Sequence, residues 1–176
     1  MTDKSAFTAD EWNALREAPQ LISLAVATAG ASGLIGTMKE AFSSSAALVE
    51  ATKSENPVLR AISSREEISA AQQSLRELVS ETKGAEFQQV KERIAARSLE
   101  TLRSALDALQ RKGSAADYDA YASFAKALAK RVAEAAKEGS FLGFGGERVS
   151  EGERAMLAQL DRALAPTPRT GGPDRL

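Results

Sequence analysis

Histidine and cysteine are both absent from this sequence. Without histidine there is no Ser-His-Asp or Cys-His nucleophile system, no imidazole to act as general base near neutral pH, and no Glu-x-x-His half-site for a di-iron bundle. Losing both residue types excludes the His/Cys zinc sites, and losing cysteine excludes disulfides. The chemistry left open is carboxylate-only metal binding, lysine or Ser-Lys reactions, and binding without reaction. No catalytic, metal or cofactor residue is assigned.

Aromatic residues are scarce at 5%, and 23 Lys+Arg against 24 Asp+Glu leave a net charge of -1. Both signs are interspersed along the chain, so no basic stripe marks a phosphate-binding surface and nucleic acid is not an expected partner. The opening MTDKSAFTADEW holds no basic segment followed by an apolar one, which makes the cytoplasm the expected location. A chain of 176 residues, 43% of them hydrophobic and many of these Ala or Leu, has enough apolar surface for one helical core. The fold class expected is an all-α antiparallel multi-helix bundle spanning residues 1–165. The Pro/Gly-rich end, residues 166–176, has no periodicity and is expected to be disordered.

Thr8 and Glu11 stand at capping-box spacing ahead of Trp12 and Leu15, and Pro19 suits the first turn of a new helix. A short amphipathic helix ending near Pro19 is therefore expected. The stretch from Ala18 to Met38 carries no charge, and Leu21, Ile22, Leu24, Ala25 and Val26 are apolar all round the helix. It reads as a buried helical hairpin, broken at Gly30 and Gly33, with Ile35, Met38, Phe42 and Val49 resuming the helical spacing. Pro57 starts a short turn holding Val58, Leu59 and Ile62, and Ser64 with Glu67 makes a second capping box.

Three seams follow in steps of three and four. The first runs Ile68, Ala71, Leu75, Leu78, Thr82 and stops near Gly84. The second, from Ala85 to Lys112, carries Phe87, Val90, Ile94, Leu99, Leu102, Leu106 and Leu109, with Gly113 as its stop. The third restarts at Ser114 and Asp117 and runs Tyr118, Tyr121, Ala125, Leu128, Val132, Ala135 to Gly139. A last helix opens on the capping box Ser150 and Glu153 and presents Met156, Leu157, Leu160 and Leu164.

Between these last two helices stands SFLGFGGERVSEGE, residues 140–153. Gly143, Gly145 and Gly146 allow a sharp turn, while Phe141, Leu142 and Phe144 seek burial on the bundle or on a partner. A phosphate cradle does not fit, because no strand precedes the glycines and Glu147, Glu151 and Glu153 repel an anion. Ser123 to Lys126 and Ser80 to Lys83 match Ser-x-x-Lys without the companion motifs of that chemistry. The acids Glu66-Glu67 and Glu147 to Glu153 lack the Asp-rich alternation of a calcium loop and read as helix-start acids. The uncharged segment approaches the length of a membrane span, but Pro, Gln, Ser, Thr and Gly dilute it and no basic or aromatic belt flanks it, so a buried hairpin is favoured over membrane insertion.

Gly33 to Glu40 and Gly146 to Glu153 share their Gly-to-Glu spacing, Ala25-Val26-Ala27 precedes the first, and Val149-Ser150-Glu151-Gly152-Glu153 closes the second. In these stretches the chain resembles the tellurite-resistance TerB-like family of small bacterial helical proteins. The resemblance implies a helical architecture and a carrier of small molecules or divalent cations in stress response. The turns here read AGASG and GFGG, without the Asp such a turn would use for a cation. From the residues themselves, the expected function is non-enzymatic self-assembly or binding of a protein partner. Phe141, Leu142, Phe144, Gly145 and Gly146 form the candidate interaction loop, with carrier and membrane roles as alternatives and no cofactor.

Overall fold

In α1, Ala9–Gly30, residues 18–28 are buried without a break, so this helix has no solvent face along its second half. The structure, a computed structural model, describes residues 2–30, 51, 53–139 and 150–165, without the side chains of 136–139. Around α1 stand α3 (Arg65–Glu81), α4 (Phe87–Lys112), α5 (Ala115–Gly139) and α6 (Glu151–Leu164), all packed against it. The short α2, Pro57–Ile62, packs on α3 and α5, and a 3-10 turn at Lys4–Ala6 precedes α1. The chain is an all-α helical bundle.

The expected break at Pro19 is corrected: α1 runs through it as one helix. A proline inside a helix removes the N–H that the carbonyl four residues earlier would accept, here that of Leu15. The hydroxyl of Tyr121 on α5 takes its place, donating to the Leu15 carbonyl at 2.8 Å in a wholly buried position. Tertiary packing thus supplies the donor that the sequence removed. The second arm of the expected hairpin, with Gly33, Ile35, Met38, Phe42 and Val49, lies outside the described residues, as does 166–176.

The seams face the core as their spacing implies. Ala71, Leu75, Val90, Ile94, Leu102, Leu106, Leu109, Tyr121, Ala125, Leu128, Val132, Met156 and Leu160 are buried, each large one contributing about 1.5–3 kcal/mol. Ala135 falls outside this pattern and is exposed, near the end of its helix. Helix starts follow the capping residues: in the pairs Thr8 with Glu11, Ser114 with Asp117 and Ser150 with Glu153, each side chain accepts from the other residue's backbone amide. At Ser64 only half the box forms, because Glu67 turns to Lys4 and Arg16 instead.

Polar contacts also set helix direction. Arg111 and Lys112 at the end of α4 reach Glu11 at the start of α1, and Lys91 near its beginning donates to the Ala29 carbonyl at 3.3 Å. Hence α4 is antiparallel to α1. Thr2 bonds Asp117 and Leu15 bonds Tyr121, so α5 runs in the same sense as α1. Where α6 meets the end of α1, Gly152 lies so close that a Cβ there would sit 2.3 Å from the Ala29 carbonyl oxygen.

Candidate functional site

Three helices meet without closing. α3 and α4 both pack on α1 and scarcely on each other, leaving a groove of about 830 Å³ above the first half of α1. Its buried lining residues are Ala14 and Leu21 of α1, Ala71 and Leu75 of α3, and Thr101 of α4, so the floor is apolar and mostly of small side chains. The banks are different in kind. Among the described residues, seven carboxylates line the groove against two guanidiniums, those of Arg97 and Arg111.

Two of the seven carboxylates hold the walls together. Glu11 bonds Lys112, the Thr8 amide and Arg111, which together hold its carboxyl down at about 2. Glu17 accepts from Ser74 of α3 at 2.9 Å and lies 3.7 Å from Arg16. The other five, Asp10, Glu77, Glu81, Glu100 and Asp107, are exposed. Of these, Glu100 lies 3.5 Å from Arg97, and Glu77 accepts from Gln73 one turn before it.

Away from the groove lining, two buried carboxylates tie segments together. Burial works to raise the pKa of Asp117, but hydrogen bonds from Ser114, Thr2 and Asn56 outweigh it and bring the carboxyl to about 2. At Glu67 burial again opposes ionisation, and the Lys4 ammonium and Arg16 guanidinium win, holding its carboxyl below the usual range. A general acid or base needs a pKa near the working pH. Carboxyls held below their usual range stay ionised at neutral pH and act as anchors for the N-terminal segment, α2 and α5.

Phe141, Leu142, Phe144, Gly145 and Gly146 lie outside the described residues. Ser123 is exposed on α5, and Lys126 pairs with Asp161 of α6 at 2.8 Å. Glu66 points to solvent while Glu67 is buried, so the two do not converge, and Glu153 spends its carboxylate on the Ser150 cap. Among the described residues no group of three or more acidic side chains is placed to hold a metal ion. Among them also, no helix is long and apolar enough to cross a membrane.

The acidic banks were not singled out in the sequence, although the signal is there. Asp10 and Glu17, Glu77 and Glu81, and Glu100 and Asp107 stand four or seven apart, which puts each pair on one helix face. Lys and Arg on the other faces mask them in any sum over the chain. Comparison with protein-family models, curated proteins and solved structures finds no match to this chain.

Proposed function

We propose that this chain is a cytoplasmic, non-catalytic protein that works by binding another protein, with the groove between α3 and α4 as its contact surface. The observation that carries this reading is the concentration of charge: in a chain whose net charge is only -1, the described residues line one groove with seven carboxylates and two guanidiniums. Acids brought together on three separate helices repel one another, a cost that a cationic partner would offset.

The test is a photo-crosslinking residue placed at Ser104, on the bank, or at Ser123, exposed on α5 and absent from the groove lining, in the living host. A protein adduct from Ser104 and none from Ser123 is the expected result. Equal labelling from both positions, or none from Ser104, would refute the reading. A groove of this volume also lies within the range of small-molecule sites, which favours the carrier role as a second reading. Native mass spectrometry of the protein recovered gently from its host would then find a retained non-protein mass.

A further inference from the structure

We propose that the occupant of the groove is a cationic amphipathic helix of a partner protein, with small side chains on its docking face and Lys or Arg along both flanks. This rests on the protein-binding reading above and adds the chemical class of the partner. The shape of the groove suits a helix. α1, α3 and α4 form a floor and two banks, and Ala14, Ala71 and Thr101 on the floor are small enough for another helix backbone to approach closely. Helices pack at roughly 8–10 Å between axes when the side chains between them are small, and a fourth helix completes a bundle arrangement.

The placement of charge suits a cationic one. Glu77 and Glu81 stand on one bank, Glu100 and Asp107 on the other, and Asp10 on α1 at the same end as Glu11. Seven residues of helix rise about 10 Å, so the acids on α4 flank two turns of whatever lies between the banks. Cations three, four and seven residues apart on a docked helix would meet both banks, their aliphatic stems lying over Leu75 and Leu78 while the charged heads reach out to the carboxylates. The same charges disfavour phosphate chains and anionic lipid surfaces.

The probe is a fluorescent peptide of about 18 residues, long enough for a helix spanning the groove. It carries alanine on one face and lysine on both flanks, and its control has the same composition shuffled so that no face is free of lysine. Binding to the full chain is read by anisotropy at two salt concentrations. The amphipathic peptide is expected to bind at one site, more weakly in higher salt, and on the order of tenfold more weakly to E77Q/E81Q/E100Q, which removes three exposed charges at little cost in helix propensity. Ser104→Arg, a single exposed change that places a cation on the bank, should weaken binding as well.

Equal binding of the shuffled peptide, unchanged binding to both variants, or no binding would overturn the inference. Mapping the partner segment crosslinked to Ser104 separates this failure from that of the wider reading. A crosslinked acidic or extended segment would leave protein binding standing and remove the cationic helix. A lysine- or arginine-flanked helix at that position supports both.

Discussion

Replacing Tyr121 with phenylalanine tests whether the bundle tolerates Pro19 because of one hydroxyl. In the wild-type chain the Leu15 carbonyl is buried, has no amide proton at position 19 to accept, and receives the Tyr121 O–H at 2.8 Å. Tyr121→Phe removes one oxygen and leaves the ring in place, so the penalty is that of a buried carbonyl without its donor, about 1–3 kcal/mol. Pro19→Ala restores a backbone N–H four residues after Leu15. In that background the carbonyl has an intrahelical partner, and the same Tyr121→Phe change should cost under about 1 kcal/mol. The coupling read from the four proteins of this cycle, measured by urea unfolding, should therefore be on the order of 1–2 kcal/mol, with the m-value unchanged. Additivity within about 0.5 kcal/mol would refute the reasoning, because the hydroxyl would then have nothing to do with the missing amide.

Three more outcomes follow from the same structure. Asp117 has a folded pKa depressed to about 2, so its stabilisation is present above the unfolded value near 4 and is lost as pH falls through the folded one. Asp117→Asn should lower stability at neutral pH by about 2 kcal/mol and flatten the acid limb between about pH 4 and pH 2, and an acid limb of unchanged slope would count against this. Gly152→Ala drives a methyl into the Ala29 carbonyl and should destabilise by about 1–3 kcal/mol, where helix propensity alone predicts a gain of about 1 kcal/mol; the sign of the change in urea midpoint decides. E77Q/E81Q/E100Q relieves repulsion across the groove and should be neutral or slightly stabilising, by a few tenths of a kcal/mol, while peptide binding weakens. A loss above about 1 kcal/mol in thermal melts would make these acids structural instead.

The core was legible because helical spacing and burial obey the same geometry. Leu102, Leu106 and Leu109 fall on one face by arithmetic, and the only way to bury that face is against another like it. Caps were legible for a similar reason, since Ser150 and Glu153 satisfy each other within one turn of chain. Pro19 was misread because its rescue comes from Tyr121, a contact 106 residues away that no local rule contains. Gly113 ends α4 as expected, but with an extended φ of -88° and not a left-handed one, and a side chain there would crowd the Leu109 carbonyl, 2.8 Å from an added Cβ. The groove went unread because it belongs to no single segment: its acids come from α1, α3 and α4, and only the packing of α3 and α4 onto one helix gathers them.

The groove and the Pro19 tie meet on one helix, and this links stability to recognition. The stretch of α1 from Asp10 to Leu21 supplies the groove floor, and within it the Leu15 carbonyl accepts from the Tyr121 hydroxyl of α5. The same stretch holds both banks: Glu11 grips Arg111 and Lys112 of α4, Glu17 accepts from Ser74 of α3, and the Gln20 amide donates to the Ile68 carbonyl at 3.2 Å. Each bank is thus tethered to α1 by polar contacts, and groove width depends on them as well as on apolar packing, which tolerates sliding more readily than a directional hydrogen bond does. The acids divide accordingly. Glu11 and Glu17 are spent on tying the banks to α1, and Asp10, Glu77, Glu81, Glu100 and Asp107 remain exposed for what enters between them. Neutralising the first pair should loosen the walls and lower stability and binding together, whereas neutralising the second group should lower binding alone.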